Sequence, residues 1–461
     1  MAQDDQSVSV PAIQATAMPS PYVIRIVVEK LFGQYDYDLL PTNPQGADVP
    51  NLLILYGENG TGKTTVLWLL YHLLSKEVGH GHKTFLARTR FATFSVSLAD
   101  GFRIAAKRER NTLIGSYLIA IKTAQGAIHE LYIKADEKNV VQLPTEEDKA
   151  AFVEFIKLLP ELHLSFLPDT RRTIPDPNPE EDEESQFRAI RLMSGTFVSG
   201  QAMQTRRPES APEIALGKVF RWVSKQALKG STEGQLNVNA VYADIVNRIA
   251  SPSRSRTLEA SVNPDSLIGT LQQQAEATKQ YSKFGFTSDL QVESFVRAII
   301  KNRTSKQRLT IIGQILRPYL EGNAVRLSAL KEVQEIVTTF VDSMNSFYVN
   351  KRVAFDLRDG VKIYTPDGKR MSPRVLSSGE KELMLLFCNV VMAKKTATIF
   401  IIDEPELSLN VIWQRTLISA LLKLVGSSQV QFLLATHSIE LLSLHMDCVM
   451  RLSVNTRQQN G

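Results

Sequence analysis

The hydrophobic positions of this chain change period several times. Val23–Val28 is a short apolar run of strand length, and Tyr35–Leu40 alternates apolar with polar residues. Leu52–Tyr56 is apolar throughout, the pattern of a strand buried on both faces. Behind it, Thr64–Ser75 carries leucines at helical spacing. From Phe91 to Leu98 the period becomes two, closing at the Asp100-Gly101 turn. Ser116–Lys122 and Ile128–Lys134 predict a hairpin around Ala124-Gln125-Gly126. Thr145-Glu146-Glu147-Asp148 predicts a capped helix start running to about Leu159, with a short strand at Leu164–Leu167.

Past Arg171-Arg172 an acidic, proline-rich stretch, Pro175 to Glu184, breaks the texture. Residues 208–348 then read as helices: Ile214–Lys229, Val238–Ile249, Leu290–Lys301, Gln307–Leu320 and Ser328–Tyr348. Strand signals return at Arg352–Leu357 and Val361–Thr365, joined through Asp359-Gly360. The last hundred residues alternate: helix Leu383–Ala393, strand Ala397–Ile402, helix Trp413–Val425, strand Gln431–Ala435. Linear order therefore divides the chain into a polar tail (1–21), a first part of an α/β head (22–172), a linker and mainly helical insertion (173–349), and a second part of the head (350–461).

Composition narrows the classes. With 461 residues, 43% hydrophobic and 22% charged, the chain is neither disordered nor fibrous. No uncharged apolar run approaches the roughly 20 residues that span a bilayer, and the N-terminus lacks the basic start and apolar centre of a secretory signal. The expectation is a cytoplasmic protein without a membrane partner. Cys388 and Cys448 are the only cysteines, which excludes a disulfide framework and a CxxC metal knuckle. The net charge of +5 is uneven: residues 201–330 hold 18 Lys and Arg against 10 Asp and Glu, so the remainder is net acidic.

The chemistry lies at the strand ends. Gly57-Glu58-Asn59-Gly60-Thr61-Gly62-Lys63-Thr64, followed by Thr65, fits G-x-x-x-x-G-K-[ST] at every fixed position. Its glycines let backbone N–H groups turn toward phosphate oxygens, and the helix behind it adds its positive dipole end. Lys63 is placed to reach the β- and γ-phosphates, and the Thr64 hydroxyl to hold Mg²⁺. The apolar run Ile399–Ile402 delivers Asp403-Glu404-Pro405-Glu406, where α/β sheets put ligand chemistry. Asp403 suits Mg²⁺ and Glu404 suits the polarisation of an attacking water. Leu376-Ser377-Ser378-Gly379-Glu380-Lys381 opens a helix and supplies a second anion site. Thr436-His437-Ser438 sets a histidine at another strand end, 33 residues after Glu404.

Together the four motifs resemble an ABC-class ATPase of the SMC/RecF/OLD-like branch. The signature reads LSSGEK and the acidic motif DEPELSLN, unlike the LSGGQ and DEATSALD usual in transporter domains. The 340 residues from Lys63 to Asp403 also exceed a transporter's spacing. The resemblance implies an ABC-type P-loop head, a mixed sheet with an antiparallel β subdomain, interrupted by the helical insertion. It further implies two heads sandwiching ATP, with Ser378 and Gly379, and Glu380 beside them, acting on nucleotide held by the opposite copy. Asn410 would lie in the D-loop and His437 would be the switch histidine. Among family members, the compact ATPases of anti-phage systems such as PARIS and Septu are similar in Leu31–Tyr37, Gly81–Arg88 and Phe166–Arg172. No zinc hook and no nuclease block after His437 are read, so the resemblance implies a separate effector, a nuclease, and a viral trigger protein. A Q-loop glutamine is open between Gln125, Gln142 and Gln186, with Arg171 or Arg172 as substitutes, and Tyr35 or Tyr37 are candidates for adenine stacking.

The insertion leaves two readings. Arg248, Arg254, Arg256, Lys301, Arg303, Lys306 and Arg308 have few acids nearby and suit a phosphate backbone. A solvated helical face explains them better, sparse aromatic interleaving weighs against a single-strand stacking platform, and a protein-binding role for the insertion is at least as well supported. The expectation is a self-associating ATP- and Mg²⁺-dependent sensor and scaffold. The alternatives are a RecF-like DNA-repair ATPase and, third, a transporter ATPase.

Overall fold

The computed structural model describes residues 22–41, 51–77, 81–143, 145–169, 210–250, 263–396, 399–426 and 428–453, with side chains left aside at 231–250 and 395–396. The polar tail, the 173–209 linker, and Arg171, Arg172, Gln186, Arg254 and Arg256 lie outside the described residues, as does the side chain of Arg248. The chain forms two compact units that do not follow linear order. One contains 1–174, 397–405 and 429–461; the other contains 175–396 and 406–428.

The first unit is built on two sheets. Strands β1 (Val23–Leu31), β2 (Tyr35–Leu39), β4 (Thr93–Leu98), β5 (Arg103–Lys107), β6 (Tyr117–Lys122) and β7 (Ile128–Ile133) form an antiparallel sheet in the order β2-β1-β4-β5-β6-β7. Strands β3 (Leu52–Tyr56), β8 (Leu164–Leu167), β12 (Ile399–Asp403), β13 (Gln431–Thr436) and β14 (Val449–Arg451) form a parallel sheet ordered β14-β3-β13-β12-β8. β3, β12 and β13 are buried along almost their whole length, because a parallel sheet covered on both faces has no solvent side.

Helix α1 (Lys63–Leu74) buries Val66, Leu67, Leu70 and Leu73 in the core that both sheets share. Gln431, at the start of β13, ties the two sheets together. Its fully buried amide accepts from Val23 N at 2.8 Å and donates to Val23 O at 2.9 Å, so two buried main-chain groups are satisfied by one side chain. Helix α2 (His82–Arg88) was readable only as a motif. Its Lys83 is buried, and the ammonium donates to the carbonyls of His72, Leu73 and Ser75, closing the C-terminal end of α1. Helix α3 (Glu146–Lys157) begins at a Thr145–Asp148 capping box.

The second unit holds α4 (Ala211–Ala250), α5 (Pro264–Ser282), α6 (Glu293–Lys301), α7 (Lys306–Phe347), α8 (Ser378–Thr396) and α9 (Val411–Val425), with a sheet ordered β11-β10-β9. β9 is Arg352–Asp356, β10 Gly360–Tyr364 and β11 Arg370–Met371. Two pairs of predicted helices are single helices here. α4 runs unbroken for 40 residues and α7 for 42, the latter through Pro318. Each is about 60 Å long at 1.5 Å per residue. Local propensity breaks them at Gly230-Ser231-Thr232 and at Gly322-Asn323, but packing of one long helix on the other overrides it. Gly230 lets the two helices approach closely: a Cβ there would lie 3.1 Å from Ala329 O. Helix α5 is missed by the periodicity, although Asn263 caps it and Pro264 opens it.

Candidate functional site

The strand order brings four C-terminal ends together in the first unit. Tyr56 of β3 pairs with Thr436 of β13, Ala435 pairs with Asp403 of β12, and Ile402 pairs with Leu167 of β8. The residues that leave these ends are the phosphate loop, His437, Glu404 and Asp169.

The loop turns between β3 and α1 with Gly60 at φ 85° and Gly62 at φ 89°, the left-handed region that only glycine enters freely. At Gly62 the constraint is double, since a Cβ would sit 2.8 Å from Leu31 Cδ2. Lys63 is buried, and its ammonium donates to Gly57 O at 2.9 Å and Glu58 O at 3.1 Å. Thr61 is pinned by its hydroxyl, which donates to Glu58 O at 2.8 Å. Glu58 and Asn59 are exposed, and Thr65 is half-buried within the first turn of α1. Tyr37 holds the loop from below: its buried hydroxyl donates to Thr61 O at 3.0 Å while Tyr35 stacks on its ring. This ring is thus built into the support of the loop.

Asp403 is 2% exposed at the end of β12. Burial pushes its carboxyl up to about 6; the Thr64 hydroxyl bonded to it and the Lys63 charge oppose that rise, while Glu404 and Asp169 add to it. A hydroxyl and a carboxylate side by side are hard oxygen donors of the kind Mg²⁺ takes, so the residues present fit that ion. Asp169 was singled out in sequence only as part of a longer block. Its nearness to Asp403 follows from β8 lying next to β12, which linear order hides.

Glu404 adopts φ 47°, uncommon for a side-chain-bearing residue, and its N–H donates to Ala435 O at 2.9 Å. This turn leads its side chain to His437, whose Nδ1 lies 3.0 Å from Glu404 Oε2. Glu404 is largely covered and His437 more open, at 19% and 44% side-chain exposure. A carboxylate held by an imidazole at the edge of solvent can take a proton from a water and keep its orientation while doing so.

The signature segment lies in the second unit. Ser377 and Glu380 form a reciprocal cap on α8: Ser377 N donates to Glu380 Oε2 at 2.8 Å, and Glu380 N to Ser377 Oγ at 3.4 Å. Ser378 and Gly379 open the first turn of the helix, Ser378 exposed and Gly379 buried. A Cβ on Gly379 would come within 2.4 Å of Ser408 O, so this glycine lets the helix start approach the loop before α9. Asn410 ends that loop and caps α9, its Oδ1 accepting from Trp413 N at 2.9 Å. Glu380 turns inward at 6% exposure, with Lys351 Nζ 2.6 Å from its Oε1. Burial would raise its carboxyl, yet the Lys351 ammonium and the Ser377 donors bring it below its usual range. Of the glutamines weighed for a Q-loop, Gln125 sits in the β6–β7 turn and Gln142 donates to Asp136 Oδ2 at 3.1 Å.

Residues 280–443 match the family model described as "AAA domain, putative AbiEii toxin, Type IV TA system". That span includes the signature, the Asp403-Glu404 pair and His437. The fold is mixed α/β, with one parallel and one antiparallel sheet in the first unit. No curated protein matches the sequence. Among solved structures, the chain is similar to the Smc head domain with an extended coiled coil bound to the C-terminal domain of ScpA, from Pyrococcus furiosus. Identity is 11% and TM-score 0.34 over 92% of this chain and 91% of that one. It is also similar to the SmcHead bound to the C-winged helix domain of ScpA, at 10% identity and TM-score 0.33 over 92% and 91%. Among the described residues, no helix is long and apolar enough to cross a membrane.

Proposed function

We propose that the chain hydrolyses ATP between two copies of itself and uses nucleotide state to hold or release a separate effector. The observation that carries the chemistry is the Glu404–His437 contact beside the Thr64–Asp403 pair. In this reading Glu404 accepts the proton of the attacking water and His437 keeps its carboxylate aligned. Lys63 leaves the loop carbonyls for the β- and γ-phosphates, stabilising charge as it develops. Thr64 and Asp403 would hold Mg²⁺, which when bound would offset the charge of the phosphate oxygens. Ser378 and Gly379, at a capped helix start in the second unit, meet the γ-phosphate bound by the partner copy. Glu380, tied to Lys351, serves that contact by holding the helix start.

The biological setting we propose is anti-phage defence, in a cytoplasmic complex whose effector is a nuclease and whose trigger is a viral protein. The family matched over 280–443 carries a toxin–antitoxin description, which supports a defence role, and the motif spelling resembles defence ATPases. Co-purification of the chain with the products of its neighbouring genes tests this. A stable companion with nuclease activity, released or unleashed on a change of nucleotide, is the expected result, and the absence of any companion would overturn it.

A further inference from the structure

The three-stranded sheet of the second unit has one apolar and one basic face. Val353 pairs with Ile363 and Ile363 with Met371, a row on the covered side; Val353 and Ile363 are buried. The next row, on the opposite side by the alternation of strands, is Arg352–Tyr364–Arg370. An aromatic ring thus stands between two guanidinium groups, with Lys362 one row further along β10. Lys362 is matched by Asp359 at 2.5 Å. Arg352 and Arg370 form no ion pair or side-chain hydrogen bond among the described residues, and the ring of Tyr364 meets no other aromatic ring there. The same face is concave. A cavity of about 550 Å³ is lined by Asn350, Lys351, Arg352, Tyr364 and Thr365 among others, and no acid is in its wall. Residues 350–370 carry six Lys and Arg against three Asp.

We propose that this face binds single-stranded nucleic acid, with a base stacked on Tyr364 and the flanking phosphates on Arg352 and Arg370. A ring on a sheet, set between two cations that make no ion pair among the described residues, offers what an unpaired nucleotide needs: a π-face for the base and charge for the backbone. A duplex keeps its base faces stacked internally and would gain only the charge. The surface is separate from the basic turn at Lys301 to Arg308, where Arg303 is already held by Asp265 at 2.6 Å. It also reaches the signature, because Lys351 lines the cavity and contacts Glu380. The inference stands independently of ATP hydrolysis.

Fluorescence polarisation of the full chain with labelled oligo-dT and oligo-U of about twelve nucleotides, and with a duplex of equal length, tests it over a salt series. We expect single strands of one or both sugars to bind better than the duplex. Tyr364→Ala should weaken binding about tenfold with an unchanged salt slope, and Tyr364→Phe should restore it. The double change Arg352→Ala, Arg370→Ala should reduce the slope by about 1.4, roughly 0.7 per lost phosphate contact. ATP affinity should stay the same in all of these, which shows that the variants are folded. No binding of single strands by the native chain, equal affinity for duplex, or a loss that follows Lys306→Ala rather than Tyr364→Ala would each overturn the proposal.

Discussion

His437 Nδ1 lies 3.0 Å from Glu404 Oε2, and the two residues come from the ends of neighbouring parallel strands. Glu404→Gln keeps the size and the hydrogen bond but cannot take a proton. Phosphate release should fall by at least about a hundredfold while ATP binding persists, as a filter-binding assay would show. His437→Ala should also slow turnover with ATP affinity little changed. Native turnover in Glu404→Gln would remove it as the base.

Two glycines of the phosphate loop separate backbone strain from crowding. Both Gly60 and Gly62 have positive φ, but a Cβ meets nothing within 4 Å at Gly60 and Leu31 at 2.8 Å at Gly62. Gly60→Ala should cost about 1–2 kcal/mol from the left-handed backbone alone. Gly62→Ala should cost more and displace the loop. Thermal melts and ATP titration of the two variants should rank them in that order.

Gln431 supplies both partners of Val23's main chain at 2.8 and 2.9 Å. Gln431→Leu leaves a buried N–H and a buried C=O unmet, at about 1–3 kcal/mol each. Urea unfolding should show a loss of about 2 kcal/mol or more, although the residue is remote from the phosphate loop in sequence.

The acid limb of stability should depend on Glu213 in the first turn of α4. Its carboxylate accepts from Ser210 N at 2.8 Å and from Arg374 Nε at 2.8 Å. The Ser210 N–H first, and then Arg374 against some burial, hold its carboxyl down at about 2. Because the folded form keeps the charge that the unfolded form loses near pH 4.5, this contribution is complete above that pH. It disappears as pH falls toward 2. Glu213→Gln should flatten the pH dependence of the melting temperature in that window and leave it unchanged above.

The site was legible where chemistry follows from adjacent residues. The phosphate loop, Asp403-Glu404 and His437 each occupy the end of a continuously apolar strand, and that pattern is visible in sequence. What sequence hid was neighbourhood. Asp169 stands near Asp403 only because β8 joins β12, and a four-residue strand announces no partner. Glu380 was read with the nucleotide residues, yet the Ser377-x-x-Glu380 spacing is itself a capping signal, and Lys351 completes it from another part of the chain. The sequence splits the two long helices at Gly230 and at Gly322-Asn323, where local propensity is low, while packing along the pair decides the outcome.

Subunit mixing tests the shared ATP site most directly. Lys63→Ala spoils the phosphate loop and Ser378→Arg spoils the signature, so each variant alone should be inactive. Mixed in equal amounts, half the dimers would carry one intact composite site, and turnover should recover to about a quarter of native. Activity of Ser378→Arg on its own, or a mixture no more active than its two components, would contradict an ATP site completed by a second copy.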